Sequence, residues 1–114
     1  MTGNKVVELN LEYGSPSVSV AIQNMKNALT TYKKSGYKAV IVIHGYGSTG
    51  IGGGIKLAVR KCLDDNSMRG IVRMFVGGED WINNKRSMLD ICRDLEGYDR
   101  RIANNNGVVV VILR

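Results

Sequence analysis

Two stretches, Ala39 to Ile43 (AVIVI) and Val108 to Leu113 (VVVVIL), are apolar at every position and rich in β-branched residues. A strand of that kind has no face to show to water, so each is expected to run through the middle of a sheet with a packed layer on either side. At 114 residues the chain is long enough for one such core and short for two. Apolar residues at 44% and charged residues at 23% suit an ordinary globular domain. Neither apolar stretch approaches the ~20 residues that cross a bilayer, so no membrane segment is expected.

The remaining elements follow from periodicity. In Lys5 to Glu12 (KVVELNLE), Val7, Leu9 and Leu11 alternate with Val6, Glu8, Asn10 and Glu12, the pattern of a half-exposed strand near a sheet edge. Val18, Ile22, Met25, Leu29 and Tyr32 step by four and three along one helix stripe, with Ser15 as a cap, Pro16 in the first turn and Gly36 as the stop. A second helix is predicted from about Ile51 or Gly54 to Asp65. Ile55, Val59 and Cys62 lie on its inner stripe beside Ala58 and Leu63, and Lys56, Arg60 and Lys61 on its outer side. Ile71 to Val76 reads as a third strand. The long stretch up to Gly107 must carry structure, and Met88, Ile91, Cys92 and Leu95 fall at helical spacing.

The order is therefore βαβαβ(α)β, an α/β fold with a four-stranded mixed sheet. Right-handed crossovers stepping in one direction place the first two helices on the same face. The opposite face is then expected to be covered by the extra helix, with Trp81 and Ile82 nearby, or by a second subunit.

Composition narrows the function. The N-terminus MTGNKVVELN lacks a signal-peptide progression, so a cytoplasmic location is expected. Cys62 and Cys92 lack CxxC spacing and histidine companions, which points to buried free thiols rather than a zinc site or a disulfide. No metal or other cofactor is expected. The formal charge of +6 and a pI near 9.6 suit either a polyanionic partner or a solubilising surface.

The stretch IVIHGYGSTGIGGGIKLAV, Ile41 to Val59, carries the only histidine, His44, where a strand gives way to a glycine-rich loop and then a helix. Free backbone N–H groups in such a loop can converge on an anion at the positive end of the helix dipole, or the glycines can serve backbone freedom alone. A Walker A loop is excluded, because Gly54 is followed by Ile55 and Lys56 with no Ser or Thr at the magnesium position. Gly45, Gly47 and Gly50 match GxGxxG. However, Met68 and Arg69 stand where a dinucleotide fold places its ribose-binding acid.

A strand ending in His44-Gly45-Tyr46-Gly47, a glycine and threonine loop, and the helix IKLAVRKCL together resemble the small MutS-related (Smr) domain. In that family an earlier strand carries LDxHG and leads into an amphipathic helix; the corresponding stretch here is Leu9-Asn10-Leu11-Glu12-Tyr13-Gly14. The closing GVVVVIL also resembles the family's last strand. Residues 78–106 read as an insertion within a single Smr-like domain spanning 1–114. The resemblance implies a fold similar to the C-terminal domain of translation initiation factor three, with DNA or RNA binding and nicking endonuclease activity, a hydrolase reaction. Glu12 replaces the first-strand histidine, Asn10 the neighbouring aspartate, Tyr13 is added before Gly14, and the loop after His44 is longer.

Phosphodiester cleavage needs a base, an acid, and positive charge or N–H donors on the phosphoryl oxygens. His44 can supply one proton-transfer group and Glu12 the second. Alternatively, Glu12 holds His44 protonated for binding alone, or the His44 ring merely bonds a backbone carbonyl. Gly45, Tyr46, Gly47, Ser48, Thr49 and Gly50, with Lys56, Arg60 and Lys61, are the candidate nucleic-acid contacts. A catalytically inactive domain whose loop holds a nucleotide or another phosphate ligand is the alternative, and the insertion leaves room for a homodimer.

Overall fold

AVIVI and VVVVIL lie side by side at the centre of a four-stranded sheet. The computed structural model describes residues 4–14, 16–45 and 50–114. The strands are β1 (Val6–Asn10), β2 (Ala39–Ile43), β3 (Val72–Gly77) and β4 (Val108–Leu113), in the spatial order β1-β2-β4-β3. The helices are α1 (Val18–Lys34), α2 (Gly50–Leu63), α3 (Trp81–Ile91) and the single turn α4 (Asp99–Ile102), with 3-10 turns between them. β1 and β2 are parallel, Val6 opposite Ala39, and β4 runs antiparallel to both β2 and β3. The C-terminal ends of β1, β2 and β3 therefore meet the start of β4 at one end of the sheet.

α1 and α2 share one face, where Ala21, Met25, Leu29, Ile55, Val59 and Leu63 pack with Val40, Val42, Val109 and Val111. Residues 78–106 cover the other face within the same chain. Trp81, Met88, Cys92, Leu95 and Ile102 meet Ala39, Ile41, Val110 and Ile112 there. All six positions of β4 are buried because alternate side chains enter one core and then the other. Ile82, expected near this layer, is exposed on the outer side of α3.

Three local expectations are corrected by the backbone. Ser15 lies outside the described residues, and the N-cap of α1 is Ser17, whose Oγ accepts the Val20 N–H at 3.3 Å; Pro16 precedes the cap instead of entering the first turn. α2 stops at Leu63, short of Asp65, whose side chain instead caps a 3-10 turn by accepting the Ser67 N–H at 2.9 Å. α3 ends at Ile91. Cys92 is extended, and Leu95 reaches the core from a 3-10 turn. Cys62 is half-buried and Cys92 buried, both are free thiols, and burial pushes both thiol pKa values up.

β1 is an edge strand, and residues 78–106 reach it at its start and on one face. The Lys5 N–H donates to Asp94 Oδ2 at 2.9 Å, and Arg101 pairs with Glu8.

Candidate functional site

β2 ends where His44 and Gly45 turn away from the sheet. Both of their N–H groups donate to the carbonyl of Gly107, each at 3.0 Å, which ties the turn to the residue before β4. Gly45 has φ of +85°, and a Cβ built there would lie 2.4 Å from Glu12 Oε2, so backbone conformation and close approach both call for glycine. The parallel register that sets Asn10 beside Ile43 carries on past the strand ends and brings Glu12 against Gly45. Glu12 is exposed, and among the described residues no hydrogen bond joins it to His44.

His44 is fully buried, and its Nδ1 donates to the Gly45 carbonyl at 2.8 Å, the loop-bracing bond a lone strand-end histidine can make. That bond puts the ring proton on Nδ1 and leaves Nε2 as a bare acceptor, buried without a partner among the described residues. Desolvation pushes the imidazole pKa below its ordinary 6.5. The Gly45 bond opposes the shift, while the Arg60 and Lys56 charges reinforce it and Glu79 again opposes it. His44 is accordingly a neutral base at pH 7, not an imidazolium.

Arg60 projects from α2 to Glu79, just beyond β3. Its two terminal nitrogens bind the carboxylate at 2.7 and 2.9 Å, and Lys56 Nζ lies 4.0 Å from the same group. Arg60 Nε is buried without a partner among the described residues. The guanidinium hydrogen bonds hold the Glu79 carboxyl down at about 2. Two of the cations read as phosphate contacts are thus already engaged by a carboxylate. Glu79 carries no signal in its own neighbourhood, because its partner lies on another element and meets it only after β3 takes its place in the sheet.

The other candidate residues are placed as follows. Gly50 opens α2 at the same end of the sheet as His44. Lys61 is exposed and lines a different hollow, with Ile22, Lys26 and Asp65. Tyr46, Gly47, Ser48 and Thr49 lie outside the described residues. Among the described residues no group of three or more His, Cys, Asp or Glu could hold a metal ion, and no helix is long and apolar enough to cross a membrane.

The two titrating groups act in separate pH windows. The folded-state pKa of His44 lies below 6.5, so the unfolded chain binds the proton more readily and stability declines as pH falls below about 6.5. Glu79 contributes stability above its ordinary 4.5, and this is lost as pH falls toward about 2. Urea unfolding across this range should show both declines. His44→Gln should remove the first, and Glu79→Gln should reduce the second, to which Asp65 and Asp99 also contribute; the Glu79 share is worth about 1 kcal/mol or less because the pair is partly solvated. Unchanged pH profiles in the two variants would contradict these assignments.

No family model matches the sequence, and no curated protein matches it. In fold it is similar to the crystal structure of the Smr domain of Thermus thermophilus MutS2. The match has a TM-score of 0.56 and 22% sequence identity, and covers 96% of each chain.

Proposed function

From the Smr fold of this chain, we propose that it is a nucleic-acid-binding Smr-like domain whose phosphate contacts centre on the sheet end where β2 stops. The observation that carries this reading is the likeness to an Smr domain across 96% of both chains, with His44-Gly45 anchored at the sheet end where β2 stops. A helix N-terminus presents unsatisfied N–H groups and a partial positive charge to a phosphate. The formal charge of +6 supports a polyanionic partner, which can be DNA or RNA.

Endonuclease activity is the finer proposal. In it the neutral Nε2 of His44 accepts a proton from the attacking hydroxyl or water, and Glu12, exposed one strand away, is the candidate second proton-transfer group. Burial of His44 favours binding over cleavage as the primary activity, because Nε2 must be uncovered before it can meet a scissile phosphate. That burial also favours a second reading, a catalytically inactive domain whose glycine loop holds a nucleotide or another small phosphate ligand.

Labelled DNA and RNA in single- and double-stranded form, tested for binding and cleavage with wild type and His44→Ala, separate these readings. Salt-dependent binding by wild type is expected. If it cuts, His44→Ala should lose about 100-fold or more of the rate. Cleavage unchanged in His44→Ala would remove the catalytic role. Thermal stabilisation by mononucleotides without any by oligonucleotides would favour the small-ligand reading.

A further inference from the structure

The His44 end of the sheet is close to electrically balanced. Glu79 engages both Arg60 and Lys56, and Glu12 stands against Gly45. The positive excess of the chain is concentrated at the opposite end. Backbone bonds define a row there. Lys38 N–H donates to the Lys5 carbonyl at 2.9 Å, Leu113 N–H to the Lys38 carbonyl at 2.9 Å, and Arg114 N–H to the Ile71 carbonyl at 3.0 Å. Lys5, Lys38 and Arg114 therefore stand in line across the strand ends. The last turn of α1, with Lys33 and Lys34, closes toward the same end through the short link to β2.

Two open cavities flank this row. One, of about 610 Å³, is lined by Lys5, Lys38 and Arg93 with Tyr98, and the acid in it, Asp94, already accepts the Lys5 N–H. The other, of about 390 Å³, is lined by Arg69, Arg73 and Arg114 with Phe75. Its acids are Asp64 and Asp65, and Asp65 is held by the Ser67 N–H at 2.9 Å. None of these six cations is in an ion pair with a side chain among the described residues, whereas Lys56, Arg60, Lys85 and Arg101 all are.

We propose that this end of the sheet is a second phosphate-backbone contact, in which the two cation-lined cavities hold separate phosphates of one nucleic-acid strand passing across the strand ends. Four strands about 4.8 Å apart make a rim of roughly 14 Å, enough for about four phosphates at a 3.4 Å axial rise. Three arginines around one cavity suit forked hydrogen bonding to phosphate oxygens. Lysines and arginines spread along a line suit a repeating anion better than a compact one. The contact is distinct from the His44 end and accounts for affinity that the balanced charge there does not supply. It rests on the nucleic-acid reading above.

The test is binding of a labelled DNA duplex and a labelled single-stranded RNA across a salt series. Lys38→Glu/Arg73→Glu changes one exposed residue in each cavity. Arg86→Glu/Arg100→Glu makes the same charge change elsewhere, at two exposed positions. The first pair should lose roughly tenfold or more in affinity and flatten the salt dependence by about two contacts, and the second pair should lose much less. In wild type, bound nucleic acid should protect Lys5 and Lys38 from acylation, a readout that requires no variant to fold. Equal losses in the two pairs, or no protection of Lys5 and Lys38, would overturn the second contact while leaving nucleic-acid binding intact. Wild type that binds neither probe would overturn both.

Discussion

Trp81→Ala should destabilise the protein by about 3–5 kcal/mol, measured by urea unfolding at neutral pH. Trp81 is the first residue of α3, fully buried in the layer between residues 78–106 and the sheet. Its Nε1 donates to Asp99 Oδ1 at 2.8 Å, so one side chain both fills the second core and ties α3 to α4. Removing the ring leaves a cavity in the core that Trp81 shares with Val110 and Ile112, residues of a strand that cannot turn its apolar face to water. Trp81→Phe keeps most of the volume and loses the hydrogen bond, and should cost about 1–2 kcal/mol. A loss below 1 kcal/mol for Trp81→Ala would mean that this layer does not complete the core.

Gly78→Ala should cost roughly 2–3 kcal/mol, an unusually large effect for adding one methyl group. The added carbon would sit 2.0 Å from the Asn105 carbonyl oxygen and 2.7 Å from that of Ile102. Both obstacles are backbone, so no rotamer change can relieve them. The Gly78 carbonyl also accepts the Asn104 N–H at 3.1 Å, and Asn104 is in the left-handed region with φ of 59°. Pushing this segment outward moves Gly107, whose carbonyl anchors His44 and Gly45. The variant should therefore be less stable and also shift the amide resonances of His44 and Gly45. Stability within half a kcal/mol of wild type would show that residues 102–105 yield freely.

Much of this architecture is legible in local pattern. An all-apolar β-branched strand implies two covered faces, and β2 and β4 have them. The stripe of α1 is read in large part: Met25 and Leu29 are buried and Val18, Ile22 and Tyr32 pack half-buried beside them, but the fully buried Ala21 is missed because a small side chain adds little to an apolar pattern. The end of α3 is missed for a definable reason. Cys92 and Leu95 are three apart, which serves the core equally from an α-helix or from the 3-10 turn that is present.

Long-range placement is less legible. Nothing in VVVVIL says that it enters between β2 and β3. Only once it does are Arg60 and Glu79 brought together and the remaining cations gathered at the far end of the sheet. Of the candidate site, the strand-end position of His44 and the neighbouring position of Glu12 follow from the motif and from parallel pairing. The orientation of the His44 ring, the engagement of Arg60 and the separation of Lys61 from that cluster depend on tertiary contacts that residue spacing does not encode.

The central claim is that nucleic acid meets this protein at the sheet end where β2 stops. It is tested most directly by nuclear magnetic resonance titration of the labelled protein with a short oligonucleotide. Shifts at Gly45, Gly107 and the first turn of α2, in addition to those at the Lys5 and Lys38 end, together with a change at the His44 ring nitrogens, are the expected result. Shifts that leave these groups untouched and fall on the outer face of α3 would contradict it.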